Sequence, residues 1–177
     1  MTSLRKNAVL SNNPPITDRI DQLLDTVGDG SGVTEQAAAA AEYIYRPAAG
    51  EVAELVRMLT YIQTSARISP GKYGDQTALS NGILITVKDS SDAIIHTFTP
   101  QAIKITQHWG LLAGFDITAS AFTAGVDSTV IRWTFAKAGA PIILNGDRGE
   151  YLSVNVRDTL ASLSSQISHV QGQKAIG

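Results

Sequence analysis

The chain has no cysteine among its 177 residues. That excludes a disulfide framework, a thiolate metal site and a cysteine nucleophile, and it leaves the redox compartment open. Charge is also scarce: charged residues make up 17% and the net charge is -2, against about 25% charged residues in typical soluble chains. No basic footprint for nucleic acid is present, and no nucleic-acid partner is expected. Aromatics are only 6%, fewer than a row of exposed sugar-stacking rings would need. No apolar run approaches the ~20 residues that cross a bilayer. The opening MTSLRKNAVLSNNPP lacks the continuous apolar core of a signal peptide, so no membrane partner is expected either.

What is present is 44% hydrophobic residues, enough for one core that buries roughly two-thirds of the unfolded surface. Residues 1–40 differ from the rest, with SNNPP, the glycine cluster GDGSG and an alanine run punctuating them. Between these breaks, Ile16, Ile20, Leu23, Leu24 and Val27 recur at helical spacing, Thr17 can cap the start and Gly28 can end it. The spacing predicts one short amphipathic helix at 17–27 within an N-terminal arm. A helix this short is marginal alone, so its stripe needs a surface, either the protein's own domain or a partner. With Leu4, Val9 and Leu10, these side chains are the candidate partner-binding residues of the arm.

From Ala41 onward, short alternating segments are separated by turn signals. They are Glu42 to Arg46, Glu51 to Gln63, Ile83 to Lys88, Ile94 to Phe98, Ile103 to Thr106, Gly114 to Ala119, Thr129 to Ala136, Ile142 to Leu144, Tyr151 to Arg157 and Ser165 to Gln171. This spacing predicts an all-β, antiparallel β-sandwich over 41–177. In Val130 to Phe135, Ile131, Trp133 and Phe135 alternate with Arg132 and Thr134, which gives one dry and one wet face. EVAELVRMLTYIQ is ambiguous. Val52, Leu55, Val56, Leu59 and Ile62 fit a helix, whereas Val52, Val56, Met58 and Ile62 share one face of a strand. Its β-favouring Val, Thr, Tyr and Ile point to a long strand.

Chemistry-bearing patterns are sparse. His96, His108 and His169 lie far apart, without the His-x-His or His-x-Asp/Glu pair that the iron oxygenases and cupins require. Gly28 to Gly32 lacks the strand, lysine and helix of a nucleotide cradle. There is no Gly-x-Ser-x-Gly elbow, and the serines of SLSSQIS decorate a strand. Asp89 with Asp92, and Asn145 with Asp147 and Glu150, offer oxygens without EF-hand periodicity, and turn chemistry accounts for them. Neither a catalytic residue, a cofactor nor a metal is expected. Trp109 is a lone candidate for an exposed ring.

Taken together, Tyr43 and Tyr45 before Pro47, Lys72-Tyr73-Gly74, Asn81-Gly82-Ile83, Trp109-Gly110 and Val170-Gln171-Gly172 resemble virion structural proteins of tailed bacteriophages. The similarity spans roughly 42–172. It implies a jelly-roll-like sandwich that decorates or cements a capsid exterior as a homotrimer. Its partners would be the major capsid protein and neighbouring copies, and it would be made in the bacterial host cytoplasm. The alternatives are a head-to-tail or tail component and, in another class, a carbohydrate-binding module.

Overall fold

The structure is a computed structural model that describes residues 17–30, 41–64, 81, 83–97, 115–123, 126–135, 140–159 and 163–176. Among the described residues ten strands run in chain order: β1 (Thr17–Leu23), β2 (Ala41–Tyr45), β3 (Glu51–Thr64), β4 (Ile83–Lys88), β5 (Ile94–Thr97), β6 (Phe115–Thr123), β7 (Val126–Thr134), β8 (Ile142–Asn145), β9 (Tyr151–Val156) and β10 (Leu163–Ile176). Every pairing between named strands is antiparallel. One sheet has the order β1-β10-β3-β7-β6, with β8 also paired to β3, and the second has the order β2-β9-β4-β5. The chain is therefore an all-β sandwich, as its alternating segments predict.

Connectivity refines that statement. Set aside the hairpin β6–β7, and the remaining eight strands form one sheet of β1, β10, β3 and β8 and another of β2, β9, β4 and β5. Consecutive strands up to β4 alternate between the sheets, and the last strand returns between the first and third. This is the two-Greek-key arrangement of a jelly roll. The hairpin extends the first sheet by pairing β7 with Arg57–Thr64, while β8 pairs with Val52–Leu55 on the same side of β3.

The core lies between the sheets. From the first come Ile20, Ala53, Leu55, Met58, Trp133, Phe135, Ile142, Leu144 and Val170; from the second come Tyr43, Tyr45, Ile83, Ile85, Val87, Leu152, Val154 and Val156, all buried. Period-2 alternation on β4 and β9 delivers these residues to one face. The Trp133 indole N–H donates to Thr60 Oγ1 at 3.3 Å, and Thr60 Oγ1 lies 2.8 Å from Ser168 Oγ. The ring thus enters the apolar layer with its polar edge satisfied.

The helix expected at 17–27 is a strand. Thr17–Leu23 pairs residue by residue with His169–Ala175 of β10. Local spacing did not separate the two forms, because residues i and i+4 share a face in a strand as well as a helix. Ile20 and Leu24 are that pair, 4% and 2% exposed, and Leu24 packs within the same core cluster. The chain then crosses to the second sheet. Ile44 N–H donates to the Asp25 carbonyl at 2.7 Å, while the Asp25 carboxylate accepts from the Val27 and Gly28 N–H groups. Gly28 takes a φ of +96° and sits against Ile44, where a Cβ would lie 2.8 Å from Ile44 Cγ1. Residues 17–28 are accordingly part of the sandwich, not of a separate arm ending at residue 40.

Candidate functional site

The long strand β3 changes face halfway along. Ala53 and Leu55 are buried, and so are Met58 and Thr60, so the inward positions shift from odd to even. The shift coincides with a break in register against β10: Arg57 faces Gln171, whereas Leu55 faces Gly172. Val56 is the extra residue of a β-bulge, and Val56 and Arg57 both reach the outer face. Gly172 makes the close approach possible, since a Cβ there would lie 2.0 Å from the Glu54 carbonyl oxygen. The strand expected here is present, but the single face read from sequence, Val52, Val56, Met58 and Ile62, is broken by the bulge, since Val56 is exposed and Met58 buried.

Above the bulge is a groove of about 530 Å³ that draws residues from four strands: Arg19 and Ile20, Val56 and Arg57, Thr134, and Gln171 to Gln173. Arg57 Nε donates to Gln171 Oε1, and Gln171 Nε2 donates to Asp21 Oδ1 at 3.4 Å. The carboxamide is fixed in that orientation, because a flipped one would set its NH₂ against the guanidinium. Asp21 also takes Arg19 Nη2 at 3.2 Å and lies 3.3 Å from His169 Nε2. Gln173 Nε2 donates to Glu54 Oε2 at 3.2 Å. Among the described residues, no carboxylate pairs with Arg57. The groove is thus rich in donors over an apolar floor, and Val56 is 37% exposed.

A second polar cluster crosses the outer face of the other sheet. Lys88 Nζ lies 2.6 Å from Glu42 Oε1, which also accepts from the buried Ser153 hydroxyl. Burial pushes the Glu42 carboxyl up, but the Lys88 and Ser153 hydrogen bonds and the Lys88 charge outweigh it and hold the group below its ordinary value. A carboxylate stabilised in this way is a weak base, and Ser153 has no open approach for a substrate. The cluster clamps β2, β9 and β4 together. Beside it, the Arg46 guanidinium stacks 4.1 Å from the Tyr151 ring centroid, and the Tyr151 hydroxyl donates to Asp92 Oδ1 at 2.6 Å. Burial first, and then that carboxylate, push the Tyr151 phenol above its ordinary value.

The acidic turns do the work of turns. Asp89 Oδ1 accepts from Ser91 N, Ser91 Oγ and Ala93 N, at 2.8, 2.7 and 3.1 Å. In the second turn, Asn145 Oδ1 accepts from Asp147 N, Glu150 Oε2 from Asn145 N and Asp147 Oδ1 from Gly50 N. His96 is exposed on β5, and the described residues hold no group of three potential metal ligands.

Of the arm residues named from sequence, Leu4, Val9, Leu10 and Ile16 lie outside the described residues, as do His108, Trp109 and Lys72 to Gly74. Ile20 and Leu24 are spent on the protein's own core, so they are not partner contacts. Leu23 is half-buried and Val27 is 66% exposed. Sequence reasoning missed the bulge groove, although one signal was present: Gly172, a lone glycine inside an alternating strand.

One strand end remains conspicuous. β5 closes the second sheet, pairing with β4 on one side and, among the described residues, with no strand on the other. Its Ile94 and Ile95 are 55% and 51% exposed, and its sequence IIHT contains neither lysine nor proline. Edges of natural sheets are commonly blunted by such residues. The chain matches no protein-family model, no curated protein and no solved structure.

Proposed function

We propose that this protein is a non-enzymatic virion component that decorates and cements a bacteriophage capsid, binding the major capsid protein and neighbouring copies of itself. The station on the capsid exterior and the homotrimeric order come from the sequence resemblance to tailed-phage virion proteins. The structural observation that carries the reading is β5, a short strand at the edge of its sheet that has no partner on its outer side among the described residues and exposes two isoleucines. Such an edge offers backbone donors and acceptors to an incoming strand while its side chains supply apolar contact. Leu4, Val9, Leu10 and Ile16 remain partner contacts in this proposal.

Cosedimentation with capsid shells that lack the protein tests it. The wild type is expected to pellet with the shells, and the double substitution Ile94→Lys and Ile95→Lys to stay in solution with an unchanged far-ultraviolet dichroism spectrum. Full binding by the folded double variant would remove β5 from the interface; no binding by the wild type would remove the capsid role.

A further inference from the structure

The groove over the bulge is too deliberately built to be only a register repair, because the bulge turns two consecutive side chains outward and gives them different chemistry. Val56 supplies an exposed apolar floor, and Arg57 stands beside it with its Nε held by Gln171. That contact pins the guanidinium plane and leaves both Nη groups without a partner among the described residues. A pinned fork with open N–H groups matches a carboxylate, which accepts two parallel hydrogen bonds. The carboxylates already at hand are engaged elsewhere: Asp21 with Arg19, His169 and Gln171, and Glu54 with Gln173.

Shape indicates what carries the missing carboxylate. The lining comes from β1, β10, β3 and β7, three inter-strand steps, or about 14 Å, which is the length of about four extended residues. A single small anion would use one end of that trough. An extended segment laid across the strands uses all of it, with an acidic residue on Arg57, an apolar one on Val56 and a second acidic residue within reach of Arg19. We propose that the groove is a recognition site for an extended acidic segment of a partner protein, with Arg57 as the carboxylate-binding residue. This inference does not depend on the virion role.

Fluorescence anisotropy at low ionic strength tests it with a labelled, C-amidated peptide of alternating glutamate and leucine, its glutamine and leucine counterpart, and a labelled single-stranded oligonucleotide. The acidic peptide is expected to bind saturably and the glutamine peptide about tenfold more weakly or not at all, the change that loss of a charge-assisted pair gives. Arg57→Gln should weaken the acidic peptide by a similar factor. Val56→Asp, which places a competing carboxylate beside Arg57, should abolish binding, whereas Arg157→Gln, an exposed arginine outside the groove, should change nothing. Melting curves of the variants confirm that each is folded. The proposal is overturned if the two peptides bind alike, if neither binds, if Arg57→Gln behaves as wild type, or if the oligonucleotide binds more tightly with the same dependence on Arg57.

Discussion

Gly172 shows how much one missing side chain decides. A methyl group there would meet backbone atoms of Glu54 and Leu55 at 2.0 to 3.0 Å, and backbone in a paired strand cannot swing aside. Gly172→Ala is expected to destabilise the fold by about 1 to 3 kcal/mol, the usual range for overpacking, read as a lower urea midpoint with an unchanged slope. Tyr43 predicts the opposite sign. It is 2% exposed and its hydroxyl has no hydrogen-bond partner among the described residues, so Tyr43→Phe removes a buried polar group without breaking a bond. Equal or higher stability is expected, and a clear loss would show that the hydroxyl has a partner. Glu42 carries a pH signature. Its folded pKa is lowered from 4.5, so the clamp's contribution is complete above that value and lost as pH falls through the folded value. Glu42→Gln should therefore be less stable than wild type at neutral pH and converge with it in acid. The gap should be small, because the Glu42 side chain is 36% exposed.

At the scale of elements, β1 is where sequence and structure part. The positions Ile20 and Leu24 were legible as apolar and periodic, but i, i+4 spacing is common to both secondary structures. The partner that makes β1 a strand is β10, nearly the whole chain away, and no local pattern encodes that pairing. β4 was legible to its ends because Ile83, Ile85 and Val87 recur at period 2 and Asn81-Gly82 precedes it. β3 was ambiguous because the bulge interrupts its period at Val56, and the groove followed β3 into obscurity. Ile20→Ala and Leu24→Ala should each cost about 2 to 5 kcal/mol if these side chains fill the sandwich core; near-neutral values would return them to a partner interface. Truncation gives a second check. Removing residues 1–16 should preserve the cooperative transition, whereas removing residues 1–30 should weaken it by stripping the cover from β10.

For the whole molecule, the sandwich was readable from regular strand spacing and turn residues, since strands such as β4 and β9 carry their buried face in their own alternation. The order of strands was not, because a jelly roll is defined by pairings between segments far apart in sequence. Function depends on what the finished surface offers other molecules: an apolar edge at β5, unpaired among the described residues, and a donor-rich groove on the opposite sheet. The central proposal is that the β5 edge serves a virion exterior. Cryo-microscopy of virions labelled with an antibody against this chain tests that claim most directly. The account predicts label at many icosahedrally related positions on the outside of the capsid; label confined to a single vertex, or none on the particle, would contradict it.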